Sequence, residues 1–139
     1  MKKAIVASML ALLVLTGCGK KETVECTNTQ KSYGVELDSK ITVELNNNKF
    51  VNLVMTIDAI LPESYLAQKQ VFISSFEKQY ENFKDQYGVQ PVVTETETGA
   101  QIKMEMSAEQ ASEFYGSKNN KATRKEVIEE FEGQGFTCK

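Results

Sequence analysis

Two apolar alternations separated by an asparagine turn most strongly constrain how this chain can fold. In KITVELNNNKFVNLVMTID the alternating apolar residues are Ile41, Val43 and Leu45 before the turn Asn46-Asn47-Asn48-Lys49, and Val51, Leu53, Met55 and Ile57 after it. A period of two places alternate side chains on one face of a β-strand, and asparagine tolerates the positive φ of tight turns. The segment therefore predicts a β-hairpin with one buried face.

Strand and helix signals lie on both sides of this hairpin. The β-branched segment TVECTNTQ, residues 23–30, predicts a preceding strand, with Val24 and Cys26 assigned to opposite faces. Pro62 suits the first turn of a helix, and apolar residues at helical spacing extend it for about six turns to Gly88. The members of this apolar stripe are Leu66, Phe72, Ile73, Phe76, Tyr80, Phe83 and Tyr87.

The C-terminal half contains a second hairpin signal and two helix starts. PVVTETETGAQIKMEM predicts a hairpin that turns near Gly99. The capping-box patterns Ser107-Ala108-Glu109-Gln110 and Thr123-Arg124-Lys125-Glu126 predict two helices, and FTCK predicts a last strand. The order β-β-β-α-β-β-α-α-β indicates a single α+β domain over residues 23–139, an antiparallel β-sheet with helices packed on one face.

The N-terminus has the pattern of an export signal. Lys2 and Lys3 precede an uncharged apolar run, residues 4–15, which is shorter than the roughly 20 residues of a membrane-spanning helix. Leu15-Thr16-Gly17-Cys18 resembles the lipobox of bacterial lipoproteins, and the resemblance implies a lipidated Cys18 and removal of the signal peptide, residues 1–17. Residues 18–22 would then be a short tether, and lipid would hold the protein at the extracytoplasmic face of the cell membrane. The alternative is an ordinary signal peptide, or a short membrane segment, followed by an unmodified cysteine.

The other two cysteines, Cys26 and Cys138, lie near the two ends of the mature chain. In an exported protein the oxidising setting favours a disulfide between them. The alternatives are two free thiols or a shared metal site, and two sulfurs without histidine make a poor zinc site. A disulfide would also place the first and last strands side by side or nearly so.

Charge and composition bear on the function classes. Without residues 1–17 the chain has 14 Lys and Arg against 19 Asp and Glu, a net charge of −5. This acidic balance, with no cluster of cations along the chain, argues against nucleic acid as a partner and against peripheral binding to anionic lipids. The chain has no histidine, the commonest metal ligand and general base. We therefore expect no catalytic residue, no metal and no other cofactor.

Three groups of residues are candidate chemical sites. Glu95 and Glu97 lie two apart in a predicted strand, where a carboxylate pair could perform acid–base chemistry or bind calcium, or simply form a solvated face. The aromatic members of the helical stripe could line a ligand groove, although helical spacing favours the core. Met55, Met104 and Met106 could bind copper, but packing between sheet and helix is the commoner role of such residues.

In the order and spacing of its elements the chain resembles the YehR-type lipoproteins, a small bacterial family of unknown function. The lipobox carries this resemblance together with ITVELNNNKFVNLVMTI, FEKQYENFKDQYGV, TETETGAQIKMEM and EVIEEFEGQGFTCK, which cover nearly all of the mature chain. The Cys26 and Cys138 pair, and a hairpin turn without Gly-Asp-Lys, depart from the family pattern. The resemblance implies lipid anchoring and supplies no catalytic residue.

Two function classes follow. The first is a lipid-anchored surface protein with a non-catalytic domain that recognises an envelope protein or a small ligand, through its tyrosines or the sheet face opposite the helices. The second is an envelope-associated hydrolase that uses carboxylates only. A deep cleft with two carboxylates of raised pKa would favour the hydrolase, whereas a filled core and a flat exposed sheet face would favour binding.

Overall fold

The computed structural model of the protein describes residues 20–139, apart from the side chain of Lys118. Its strands are β1 (Lys21–Ser32), β2 (Val35–Asn46), β3 (Lys49–Ile60), β4 (Val92–Glu95), β5 (Gly99–Ser107) and β6 (Thr137–Cys138). Its α-helices are α1 (Lys69–Tyr87), α2 (Ala108–Tyr115) and α3 (Arg124–Gly133), and two 3₁₀ segments span Glu63–Gln68 and Lys118–Asn120. The predicted order of elements and the α+β class are confirmed.

The strands form one antiparallel sheet in the spatial order β4-β5-β3-β2-β1-β6. The three helices pack against one face, and the opposite face, here called the open face, has no helix of the described chain over it. The covered face holds the core, whose fully buried side chains include Val43, Leu53, Ile102, Met104 and Phe131. The alternation of the strands therefore produces the two-faced sheet that the sequence predicts.

The central hairpin turns at Asn47 and Asn48, which both have positive φ, 52° and 58°. This is the conformation that two-residue hairpin turns require. Past the turn, however, the alternation does not hold at its first position: Phe50 is buried, whereas Val51 is 45% exposed. Leu45 pairs with Phe50 and Glu44 pairs with Asn52, so Val51 is the extra residue of a β-bulge. The expectation that Val51 lies on the buried face was wrong for that reason.

The first strand is longer than predicted and its faces differ from the prediction. β1 begins at Lys21, so the folded domain starts inside the predicted tether of residues 18–22. Val24 and Cys26 are both fully buried, because residues two apart on a strand point to the same face. Their assignment to opposite faces was wrong.

The predicted long helix is divided in two. The chain after Pro62 first forms 3₁₀ structure, with the Tyr65 N–H donating to the Pro62 carbonyl at 2.8 Å. Gln68 then leaves the helical region (φ −106°, ψ 14°), and α1 begins only at Lys69. The predicted end is confirmed, because Gly88 caps α1 in the left-handed conformation, φ 68°.

Both predicted capping boxes are present. The Ser107 hydroxyl accepts from the Gln110 N–H at the start of α2, and the Thr123 hydroxyl accepts from the Glu126 N–H at the start of α3. In return, the Gln110 side-chain oxygen accepts from the Ser107 N–H, and the Glu126 carboxylate accepts from the Thr123 N–H. Two otherwise unpaired donors are satisfied at each helix start.

Candidate functional site

The predicted lipidation site, Cys18, lies outside the described residues. The described chain enters the sheet two residues later, where the Lys20 N–H donates to Asn47 Oδ1 at 3.0 Å and the Asn47 N–H donates to the Lys20 carbonyl at 2.9 Å. These bonds hold the start of the domain against the β2–β3 turn. Any group attached through residue 18 would therefore lie at this end of the sheet.

Cys26 and Cys138 lie at disulfide distance in the structure, with their Cα atoms 4.1 Å apart. They are directly opposite each other on β1 and β6. Their neighbours Glu25 and Lys139 exchange both backbone hydrogen bonds, at 3.0 and 2.9 Å, so the cysteines occupy the non-hydrogen-bonded position, where facing side chains are closest. The expected neighbourhood of the first and last strands is confirmed.

The open face, one of the predicted contact surfaces, exposes Ile60 and Val92 near its edges, but elsewhere its polar groups pair with one another. The Thr29 hydroxyl donates to Asp38 Oδ1 at 2.6 Å, and Gln101 Nε2 donates to Asp58 Oδ1 at 2.8 Å. An ion pair between Lys40 and Glu25 has an N···O distance of 3.3 Å. A partner that covered this face would have to replace these bonds, which makes the face a costly surface to desolvate.

A patch of exposed apolar side chains lies at the far end of β1 from Lys20. We call the groove formed by Val35, Leu61, Tyr65, Val71 and Phe72 the apolar patch; its volume is about 240 Å³. Val71 is 70% exposed and Tyr65 44% exposed. These two exposed side chains make the rim of the groove the candidate contact surface of the described chain.

Tyr33 lies at the tip of the β1–β2 hairpin beside this patch. Gly34, which follows it, approaches Pro62 at the start of the 3₁₀ segment. Tyr33 has a positive φ of 50° and its side chain is 92% exposed. A bulky residue in this conformation costs free energy, and such residues cluster at functional sites. The sequence predicts the tyrosines as contact residues, but no local signal distinguishes Tyr33 and Tyr65 from the other three.

The predicted carboxylate pair does not form on a strand. β4 ends at Glu95, so Glu97 lies in the following turn rather than two positions along the same strand face. Glu95 forms an ion pair with Lys69 (2.9 Å) and accepts from Gln70 Nε2 (2.9 Å). The hydrogen bond from Lys69, followed by that from Gln70, holds the pKa of Glu95 below its usual value. This carboxylate fastens β4 to the start of α1.

Another groove, of about 460 Å³, lies between α1 and the segment before β4 and is lined by Glu77, Glu81 and Asp85. All three side chains are exposed. Catalysis by carboxyl pairs depends on environments that separate the roles of the two groups, through burial or a close partner. Bulk water around each of these carboxylates supplies no such difference. In addition, no group of three metal-ligating side chains was found among residues 20–139.

The aromatic stripe and the methionines belong to the core, as their spacing predicts. Phe76 is buried, and its ring contacts Tyr80 edge-on with centroids 5.3 Å apart. Burial raises the pKa of Tyr80. Met104 and Met106 are buried in the sheet face under the helices, and Met55 packs against them half-buried. Of the stripe, Phe72 lines the apolar patch, whereas Phe76, Tyr80, Phe83 and Tyr87 pack in or against the core.

Comparisons with protein-family models, with curated proteins and with solved structures give no match. The resemblance to the YehR-type lipoproteins therefore stays a prediction. Among the helices of the described part of the chain, none combines the length and apolar character needed to cross a bilayer. The site must be interpreted from its own geometry.

Proposed function

We propose that the protein is a membrane-anchored bacterial surface lipoprotein whose single domain is a non-catalytic binding module. The anchor is the lipid of Cys18, and the domain stands at the extracytoplasmic face of the membrane. The observation that carries this proposal is the position of the apolar patch relative to the start of the domain. The two lie at opposite ends of the 12-residue strand β1, which at about 3.3 Å per residue separates them by roughly 40 Å.

This arrangement supports a binding role. A surface 40 Å from the anchor lies clear of lipid headgroups and faces the envelope space. The patch is shallow, and pockets that enclose small ligands are typically concave with volumes of about 300–1,000 Å³. An envelope protein that covers Tyr65 and Val71 with an apolar segment is therefore the better partner, and a small ligand is the weaker one.

The alternative, a hydrolase based on carboxylates, has less support. Two carboxyl groups, Glu95 and Glu126, have shifted pKa values, and both are lowered. The Glu126 shift is caused first by the hydrogen bond from the Thr123 N–H. Both groups are therefore held as paired anions, whereas a general acid needs a raised pKa.

The anchoring half of the proposal is tested by Cys18→Ala in the native host. We expect the variant to leave the membrane fraction or to keep its signal peptide, and we expect mass spectrometry of the wild-type N-terminal peptide to begin at a lipid-modified Cys18. A variant that stays in the membrane fraction with normal processing would contradict lipid anchoring.

The binding half is tested with a matched pair of exposed valines. Val71 lies in the apolar patch, whereas Val92 lies on β4 outside it, with 59% of its side chain exposed. A photo-reactive amino acid at position 71 of the anchored protein should produce a discrete crosslinked species in intact cells, and the same group at position 92 should not. Equal crosslinking from both positions, or none from either, would refute the patch as the binding surface.

A further inference from the structure

The fold gathers cations that the sequence distributes over more than 100 positions. The start of β1, the β2–β3 turn and the start of α3 meet at one end of the sheet. The backbones of Lys49 and Lys121 form an isolated antiparallel β-bridge, and the Ala122 N–H donates to the Asn48 carbonyl at 3.0 Å. We call the cations at this end the basic end; they are Lys20, Lys21, Lys49, Lys121, Arg124 and Lys125.

The basic end has an excess of positive charge in an otherwise acidic domain. Among the described residues, Lys21, Lys49 and Lys121 make no ion pair, and all three are exposed. Of the two cations that are paired, Lys20 contacts Glu22 at 3.0 Å and Lys125 contacts Glu129 at 3.6 Å. Since the whole mature chain has a net charge of −5, the remainder of the surface is strongly negative.

The acidic residues near the basic end, Glu22, Glu44, Glu126, Glu129 and Glu132, offset most but not all of the charge of its six cations. The Glu126 carboxylate turns back onto its own helix, accepting from the Thr123 N–H at 2.7 Å. Glu44 lies on the open face, opposite Thr23 and Asn52. Glu129 and Glu132 lie one and two turns along α3 from Lys125, and both line the groove that also contains Lys20 and Lys125. The remaining positive charge at this end therefore comes from the unpaired lysines Lys21, Lys49 and Lys121.

An exposed apolar side chain accompanies these cations. Val51, the bulge residue, is 45% exposed and lines a groove with Lys21, Glu44 and Asn46. Lysines beside an exposed apolar residue fit the boundary between lipid headgroups and acyl chains, where long side chains keep their charge in the headgroup layer.

We propose that the basic end binds the anionic headgroup surface of the membrane. This inference rests on the proposed anchoring, because Cys18 lies two residues before Lys20 and fully extended chain covers at most about 3.6 Å per residue. The lipid would hold Lys20 within about 7 Å and Lys21 within about 11 Å of residue 18 at the bilayer surface, close to the Debye length of about 8 Å at physiological salt. The basic end then fixes the orientation of the domain, with β1 directed away from the bilayer and the apolar patch outermost.

Vesicle binding by the mature chain without its lipid tests the inference separately from the anchor. The chain from residue 18 with Cys18→Ser is mixed with vesicles of phosphatidylcholine alone, or with 30% phosphatidylglycerol, and bound protein is measured by sedimentation at low and high NaCl. We expect binding only to the anionic vesicles and loss of that binding at high salt. No binding to the anionic vesicles, or equal binding to both, would overturn the inference without touching the Cys18 proposal.

Two triple variants of equal net charge locate the surface. Lys21→Gln/Lys49→Gln/Lys121→Gln neutralises the basic end, whereas Lys31→Gln/Lys40→Gln/Lys78→Gln neutralises exposed lysines elsewhere. Each cation near an anionic surface contributes about 5-fold in affinity, so the first variant should bind at least tenfold more weakly and the second within twofold of the parent. Circular dichroism confirms that both are folded. An equal loss in both variants would mean that net charge, and not the basic end, governs binding.

Discussion

Reduction of the Cys26–Cys138 bond is the perturbation whose magnitude the structure defines best. The bond joins residues 112 positions apart, and constraining a loop of that length in the unfolded chain contributes about 4.8 kcal/mol at 25 °C in the chain-entropy model. Domains of this size have unfolding free energies of about 5–15 kcal/mol. The bond should therefore account for a third or more of the stability of the oxidised protein.

Urea unfolding measures this contribution directly. The chain has no tryptophan, so the transition is followed by circular dichroism and tyrosine fluorescence. With a urea dependence of roughly 1.5–2 kcal/mol per molar, reduction should lower the midpoint by about 2–3 M. The disulfide-free variant Cys26→Ala/Cys138→Ala should not respond to reductant. If oxidised and reduced wild-type midpoints differ by less than about 0.5 M, the loop-closure argument is wrong; free thiols in the exported protein would show that the bond is not formed there.

Three further predictions concern the backbone and the helix ends. Gly99→Ala should weaken β3–β5 pairing severely, because a Cβ at position 99 would clash with the Ala59 carbonyl oxygen at 2.0 Å. Thermal unfolding should show a large loss of stability in this variant. Gly133→Ala is the control, because a Cβ at position 133 would meet no atom, and it should cost far less. Ser107→Ala should cost about 1 kcal/mol of unfolding free energy through loss of the α2 cap, and an unchanged urea midpoint would contradict the cap. Because the folded-state pKa of Glu126 is lowered, the stability it confers is present above its unfolded pKa and is lost as pH falls through the lowered pKa. Glu126→Gln should reduce that pH dependence of the urea midpoint, and identical curves of midpoint against pH for variant and parent would refute it.

Local signals predict the individual elements well, because the interactions that form them are local. The Asn47–Asn48 turn, the Gly88 cap and the two capping boxes each depend on residues within four positions of one another. The disulfide was also predictable, since only two cysteines remain after Cys18. At Val51 the sequence was misleading because the β-bulge places this one residue outside the alternation, whereas Leu53 and Ile57 keep the predicted face.

The candidate surfaces were not predictable, because distant segments compose them. The apolar patch joins Val35 on β2 to Val71 on α1, two residues that lie 36 positions apart. The basic end joins Lys21, Lys49 and Lys121, whose proximity follows from strand pairing and from the bridge between β3 and the segment before α3. Along the sequence these lysines form no cluster, whereas the fold brings them together at one end of the sheet.

The covalent link between β1 and β6 also bears on resistance to proteolysis. All connecting loops lie between residues 26 and 138, inside the closed ring. A protease that cuts any one of them leaves two fragments still joined through the sulfur atoms. A single cut therefore releases neither piece, whereas without the bond β6, with two residues in the sheet, would add little to the contacts that hold the C-terminal fragment.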